Sequence, residues 1–283
     1  MAQDLEPRQY ANTPVGMNFV LAGYTYSQGD VAADPTIPLE DAHLQMEVAP
    51  LGYARSLDLW GLSGKLQVTD SYVWLSGTAL AAGQMRERVV NGLGDPSMLL
   101  SVNLYGAPAL SPAQFAAYRQ NVIIGASVQV TAPLGQYASD KLVNLGANRW
   151  SIRPQMGISK RAGRWTLELT AAGTFYSANG DFLDTNTLSQ DPLFALQSHL
   201  IYAFKPGMWG AIDATYYAGA ATTLDGVDQR NLQANTRLGA TLVVPVTRTQ
   251  SIKFYASRGV QTRTGVTWSV AGLAWQYAFG GGP

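Results

Sequence analysis

Towards the end of the chain, polar and apolar residues alternate with a period of two. Residues 231–244 begin with polar side chains at Asn231, Gln233 and Asn235, and uncharged residues stand between them. A period of two is typical of a β-strand, because successive side chains point to opposite faces. Since the apolar face carries no charge, the pattern indicates a strand with lipid on one side and a polar lumen on the other.

Similar alternation along the rest of the chain predicts twelve strands. They are placed at roughly 17–27, 42–57, 64–76, 96–105, 120–132, 148–160, 164–177, 192–204, 208–219, 230–244, 250–259 and 265–279. With 283 residues, each strand and its connection take about 24 residues, enough for membrane spans of about 9 to 11 residues. Ten or fourteen strands also fit, because the segment 77–95 and the opening strand have weak patterns. Pro154 interrupts one predicted strand, where a bulge would accommodate its missing N–H.

The connections between these strands are of two kinds. Short polar turns at 160–164, 205–207 and 247–250 alternate with longer loops rich in turn-forming residues. Outer-membrane barrels have short periplasmic turns and longer extracellular loops. The sequence therefore predicts an all-β protein, an antiparallel transmembrane β-barrel of about 12 strands with both termini on the periplasmic side.

Residues 1–283 are interpreted as a single barrel domain, with 1–15 as a periplasmic N-terminal extension and 280–283 as a C-terminal tail. The start of the chain lacks the basic and apolar regions of a secretory signal. We therefore expect Met1 to replace a removed signal peptide, with the mature protein beginning near Ala2. A capped helical turn is expected at 111–118, between the fourth and fifth strands.

Composition supports a membrane barrel over a soluble domain. Only 13% of the residues are charged, against about 25% in soluble proteins. An Arg or Lys facing lipid near the bilayer midplane costs roughly 2 to 4 kcal/mol, so an outward charge is disfavoured. The 19 basic and 19 acidic residues cancel, and no global field favours nucleic acid as a partner. The apolar runs are too short for a membrane-spanning helix.

Aromatic residues at predicted strand ends suggest an interfacial girdle. The predicted girdle consists of Trp165, Trp209, Trp275, Tyr277 and Phe279. In a soluble β protein the same residues would belong to the core. The aromatic last strand also predicts the barrel-assembly machinery as a partner, alongside the lipid bilayer and lipopolysaccharide.

The polar faces of the strands supply a predicted set of charged lumen residues. The set consists of His43, Glu47, Arg153, Glu168, His199, Asp213, Arg237 and Lys253. These charges are stable only if they are paired, hydrogen-bonded or wetted. Two interpretations are open: a polar network that fills the barrel, or a constriction whose opposed charges orient polar solutes. Twelve strands fall between filled eight-stranded barrels and wide porins, so the lumen should be narrow.

No catalytic, cofactor or metal site is predicted. Ser198 is adjacent to His199 but belongs to the opposite face, so the two do not form a nucleophile and base pair. His43 beside Asp41 is the nearest match to an acid and histidine protease arrangement at a loop. Two histidines on separate strands, without clustered carboxylates, do not suggest a metal site.

Several segments resemble a known family. They are Gly94-Asp-Pro96, Asn103-Leu-Tyr-Gly-Ala-Pro-Ala-Leu110, Pro133-Leu-Gly-Gln-Tyr137, Lys141-Leu-Val-Asn-Leu-Gly-Ala-Asn-Arg-Trp150, Gln190-Asp-Pro192 and Leu273-Ala-Trp-Gln-Tyr277. In these segments the chain resembles the outer-membrane transporters grouped as the meta-pathway phenol-degradation family. The resemblance implies a channel in a Gram-negative outer membrane that takes up small molecules, with hydrophobic or aromatic compounds as solutes. A structural or adhesin-like barrel with a blocked lumen, and an outer-membrane hydrolase, are the alternatives.

Overall fold

A computed structural model describes residues 6–32, 40–81 and 84–281 of the chain. Predictions that concern residues 1–5 and 282–283 lie outside the described residues. Most of the described chain is β-strand.

One short helix interrupts the succession of strands along the described chain. In chain order the elements are β1 (Met17–Ala32), β2 (Glu40–Leu59), β3 (Leu62–Ala81), β4 (Gln84–Leu93), β5 (Ser97–Tyr105), α1 (Pro112–Phe115), β6 (Val122–Thr131), β7 (Ser151–Ala162), β8 (Trp165–Tyr176), β9 (Asn179–Phe182), β10 (Asn186–Gln190), β11 (Leu193–Lys205), β12 (Met208–Gly219), β13 (Thr222–Leu224), β14 (Val227–Asp228), β15 (Gln233–Pro245), β16 (Gln250–Gln261) and β17 (Gly265–Gly280).

The large sheet closes into a barrel in which neighbouring strands are antiparallel. β1 pairs with β2 on one side and with β17 on the other, where the register runs from Met17 opposite Gly280 to Ala32 opposite Gly265. β4 and β5 both pair with β3. β4 pairs with residues 72–81 of β3 and β5 pairs with residues 64–69, so the two strands share one position in the barrel. The described strands thus form a closed 12-strand barrel, as predicted.

The predicted strands agree closely with the observed ones. β4 lies in the segment 77–95, whose pattern was too weak to place a strand. The extracellular loops add a small sheet of β9, β10, β13 and β14. The helical turn is confirmed: Ser111 caps α1 with a capping box, and Pro112 occupies its first turn. β7 runs through Pro154 without a bulge, since its pairing with β8 has the same register before and after the proline.

Outward and inward faces alternate along the wall. On β15, Leu238 and Leu242 are 48% and 37% exposed, whereas Arg237 and Thr241 on the other face are each 5% exposed. The outward residues are mostly apolar and face the lipid. The phase predicted for this strand is therefore correct.

Outward aromatic residues lie near the periplasmic ends of the strands. Trp165 packs against Tyr202, and Trp275 stacks on Tyr277, which stacks on Phe279.

The assignment of Trp209 to the girdle is wrong. Its cross-strand partner Val243 is buried, and Trp209 faces the lumen beneath the side chain of Arg8. Trp209 has the same parity as the inward Asp213, and a period of two places both on one face.

The wall is taller on one side. β2 and β3 have 20 residues each, whereas β8 and β12 have 12. Because about 9 to 11 residues cross the membrane, β2 and β3 continue beyond it on the extracellular side.

His43 and Glu47 lie on this tall part of the wall, and their assignment to the lumen is wrong. Glu47 stands opposite the outward Trp74 and accepts a hydrogen bond from Tyr24 Oη at 2.6 Å. His43 Nδ1 lies 2.8 Å from Asp30 Oδ1, and both side chains are exposed. On this part of the wall the inward residues are apolar, so the polar-inside pattern on which the prediction depended is reversed.

Candidate functional site

The lumen contains the N-terminal segment, residues 6–16. A periplasmic extension was predicted for residues 1–15, and this is wrong for the part that the structure describes. The segment is held at the periplasmic rim, where Val15 N–H donates to Leu110 O and Gly16 N–H donates to Ser56 O. From there it extends into the barrel, where Glu6 carboxylate oxygens lie 3.0 and 3.1 Å from Lys253 Nζ.

Tyr10 anchors this segment against the wall. Its ring is 4% exposed, and its hydroxyl lies 3.1 Å from Ser127 Oγ. A Cβ atom added at Gly125 or Gly157 would come within 2.2 or 2.4 Å of the ring. The two glycines, which face each other across β6 and β7, therefore create the space that the ring fills.

Arg8 connects the segment to β8 and β12 of the wall. Its backbone N–H donates to Glu168 Oε2 at 2.7 Å, and its guanidinium lies 5.3 Å from the centre of the Trp209 ring. Ser159 Oγ donates to the second oxygen of Glu168 at 3.0 Å. Glu168 thus joins two wall strands to the N-terminal segment.

A buried polar row continues from Glu168 around the wall. His199 is the cross-strand partner of both Glu168 and Asp213. Its Nδ1 lies 2.7 Å from Asp213 Oδ1, and Thr241 Oγ1 donates to Asp213 Oδ2 at 2.9 Å. His199 and Asp213 are each 1% exposed. The side chains of the row are therefore buried and hydrogen-bonded to one another.

This row is not arranged as a hydrolytic site. The hydroxyl of Thr241 is bonded to Asp213 and not to the imidazole. His199 Nε2 is buried and has no hydrogen-bond partner among the described residues. A nucleophile would need to lie within hydrogen-bond reach of that nitrogen. Within residues 6–32, 40–81 and 84–281, no group of three metal-ligating side chains is found.

The extracellular half of the lumen is lined differently. The loop 132–150 is tied to the break between β4 and β5, where Asp95 accepts hydrogen bonds from the N–H groups of Gly135 at 2.9 Å and Ala147 at 2.7 Å. Leu145 from this loop packs with the inward Val73 and Leu75. These residues and their partly buried neighbours form an apolar inner wall, made of Met46, Val48, Val73, Leu75, Val90, Val143 and Leu145.

Arginine and aromatic side chains line the other side of this region. The Arg149 guanidinium lies 4.5 Å from the centre of the Tyr176 ring. Arg237 Nη2 donates to Trp268 O at 3.0 Å beside a cavity of about 10 Å³, which Tyr217 also lines. Burial lowers the pKa of Arg149 from its usual value, while Tyr176 and Asp95 act in the opposite direction.

The structure brings Glu168, His199 and Asp213 together and places Lys253 beside Glu6. Arg153 and Arg237 also face the lumen. The sequence analysis missed Tyr10, Lys65, Ser159, Arg149 and Trp268. Lys65 Nζ donates to Gln9 O at 3.4 Å. Only the alternation on β3 could have indicated Lys65, since inward residues there have odd numbers.

The family described as "Putative MetA-pathway of phenol degradation" matches residues 23–277. The chain belongs to this family. The family was predicted from the six sequence segments that resemble it, and that prediction is confirmed. No protein with a curated description matches this member of the family.

Solved structures share the fold of this family member. An outer-membrane channel from Pseudomonas putida F1 is 24% identical with a TM-score of 0.82, over 98% of this chain and 100% of that one. The transport unit of the autotransporter AIDA-I from Escherichia coli is 9% identical with a TM-score of 0.53, over 98% of this chain and 93% of that one. The β domain of the Bordetella autotransporter BrkA is 11% identical with a TM-score of 0.52, over 92% of this chain and 98% of that one.

The family member is therefore a transmembrane β-barrel that shares its fold with solved outer-membrane barrels. Among the described residues, no helix has the length and apolar character required to cross a membrane.

Proposed function

We propose that this protein is an outer-membrane channel for passive uptake of small hydrophobic or aromatic molecules, and that residues 6–16 form a plug that closes it. The observation that carries the proposal is the way the lumen is filled. The wall leaves space at Gly125 and Gly157, and a chain terminus occupies that space. A barrel that only needed a solid interior could fill it with larger wall side chains.

The contacts that hold the plug are compatible with its release. It is attached by hydrogen bonds, by one partly exposed ion pair between Lys253 and Glu6, and by the packing of Tyr10. A typical hydrogen bond contributes about 0.5 to 1.5 kcal/mol, so these contacts can be exchanged for water. The wall strands are paired with each other and do not depend on the plug for their own hydrogen bonds.

The solute class is supported by the family's description and by the lumen lining. The family description names phenol degradation. The apolar inner wall around Val73 and Leu75 offers contact for a ring or an alkyl chain. Wide polar porins lack such a lining because they hold an aqueous channel.

A blocked structural barrel is the second candidate. It is favoured by the burial of His199 and Asp213, which leaves little water in that part of the lumen. Under this hypothesis the exposed extracellular sheet of β9, β10, β13 and β14 would carry an interaction function.

Planar-bilayer recordings distinguish these two functions. We expect the refolded protein lacking residues 6–12 to show discrete conductance steps, larger and more frequent than those of the full chain. Benzyl alcohol should then reduce the ionic current in a concentration-dependent way, and sucrose at matched viscosity should not. A deletion variant that is folded but silent would contradict the channel and favour the structural barrel.

A further inference from the structure

We propose that Arg149 and Arg153 form a carboxylate-binding subsite in the extracellular half of the lumen, so that the preferred solutes are amphipathic carboxylates with an aromatic or alkyl body. This inference rests on the proposed channel and names its substrate class. The subsite lies where the loop 132–150 meets the upper ends of β7 and β8.

The two arginines are neighbours of one tyrosine, Tyr176. Arg149 stacks over the Tyr176 ring at 4.5 Å. Ser151 is the cross-strand partner of Tyr176, and Arg153 is the next inward residue after Ser151 on β7. Diagonal neighbours on one face of a sheet are about 7 to 8 Å apart, within reach of long side chains. Arg153 therefore lies within side-chain reach of the ring over which Arg149 stacks.

Neither arginine has its hydrogen-bonding capacity filled. Arg149 Nη1 and Arg153 Nε are buried, and neither atom has a hydrogen-bond partner among the described residues. The described part of the chain also places no carboxylate oxygen within 4.0 Å of either guanidinium. Asp95, whose charge acts on Arg149, already accepts hydrogen bonds from two backbone N–H groups.

A buried cation without a counter-ion is unfavourable, and a ligand carboxylate would remove that cost. Both residues are half-buried overall, so part of each side chain remains exposed beside these buried nitrogen atoms. The planar guanidinium group matches a carboxylate with two parallel N–H donors, which a neutral hydroxyl cannot exploit to the same extent.

The remainder of the region fits the body of such a solute. The apolar inner wall, centred on Val73 and Leu75, belongs to β2–β4, and β6 and β5 separate β3 from β7 around the barrel. The loop 132–150 contributes to both surfaces, with Leu145 in the apolar wall and Arg149 in the subsite. A solute with a charged head and an apolar body would contact both surfaces at once.

Equilibrium binding tests the subsite independently of conduction. The full-length protein in lipid nanodiscs is titrated with 4-fluorobenzoate, 4-fluorobenzyl alcohol and 4-fluorobenzylamine, and binding is followed by fluorine NMR line width. These ligands share one ring and differ in charge. We expect the carboxylate to bind about tenfold more tightly than the alcohol, the difference that one charge-assisted hydrogen-bonded pair provides, and the amine to bind most weakly.

Substitutions assign this preference to the two arginines. Arg149→Gln combined with Arg153→Gln should remove the preference for the carboxylate by lowering its affinity to about that of the alcohol. The double lysine variant, R149K with R153K, should retain part of the preference for the carboxylate, because lysine keeps the positive charge but lacks the paired N–H donors of a guanidinium group. Arg258→Gln, on the outward face of β16, is the matched control and should bind as the wild type does. Folding of each variant is checked by heat-modifiable electrophoretic mobility.

Two results would overturn the subsite: equal affinities for the carboxylate and the alcohol, or a preference that persists in the folded glutamine pair. Failure of the subsite is distinguishable from failure of the channel. If the plug-deleted protein conducts but the carboxylate has no advantage, the subsite is wrong and the channel stands. If arginine-dependent binding occurs in a protein whose deletion variant is silent, the binding site stands and the channel does not.

Discussion

Replacing Tyr10 with alanine should release the plug. The ring is 4% exposed and packs with Ala107 and Ile123 over the two glycines of the wall. Truncation of a buried aromatic side chain to alanine costs about 3 to 5 kcal/mol. The wall strands keep their own pairing, so this cost falls on docking of the segment and not on the barrel. At about 1.4 kcal/mol per factor of ten, the docking constant should fall by at least two orders of magnitude.

Tyr10→Phe is the matched control for this change. It keeps the ring and removes the hydrogen bond to Ser127 Oγ, which contributes about 0.5 to 1.5 kcal/mol, so the docking constant should fall by no more than about tenfold. Single-channel recordings of the two variants and the wild type give the open probability. The expected order is alanine well above phenylalanine, and phenylalanine above wild type. An alanine variant that is folded by circular dichroism and opens no more often than the wild type would refute the reasoning.

Two further predictions concern the wall. Leu242→Arg should destabilise the folded barrel in bilayers by roughly 2 to 4 kcal/mol, because Leu242 faces lipid within β15. Val260→Arg, one residue from the end of β16, should cost about 0 to 1 kcal/mol. Urea titrations in lipid vesicles compare the two variants, and equal costs would show that Leu242 does not lie deeper in the bilayer than Val260. Asp213→Ala should lower the free energy of unfolding by about 3 to 5 kcal/mol, because His199 and Thr241 lose their buried acceptor. Thr241→Val should cost only about 1 kcal/mol in the same titration, and a mild Asp213→Ala variant would argue against a structural role for the row.

The barrel could be predicted because its signal is local and repeated. Each strand carries its own alternation, and a lipid-facing strand excludes charge from one face, so residues such as Leu238 and Arg237 are assigned correctly without knowledge of their neighbours. The short turns fixed the strand directions for the same reason. The inward positions of Glu168 and Asp213 followed from this alternation.

The errors occurred where a second layer of chain changes what a face contacts. On β2 the loop 132–150 covers the inner face with Val143 and Leu145, so Glu47 turns outward although it lies on a polar stripe. Trp209 was placed by its distance from a turn, although parity with Asp213 would have placed it correctly. The N-terminal segment has no alternation, and its position depends on a cavity that glycines on distant strands create.

The plug is joined to the wall that it blocks, and this sets its kinetics. Gly16 is fixed at the rim, since Gly16 N–H donates to Ser56 O and Gly281 N–H donates to Gly16 O, so Tyr10 remains on a short tether after it leaves its site. A short tether gives an effective concentration of about 1 mM, and a segment with an intrinsic dissociation constant of about 10 µM would then be released about 1% of the time. Reclosure is a unimolecular event, independent of protein concentration. Free peptide of the same sequence would compete only at millimolar levels.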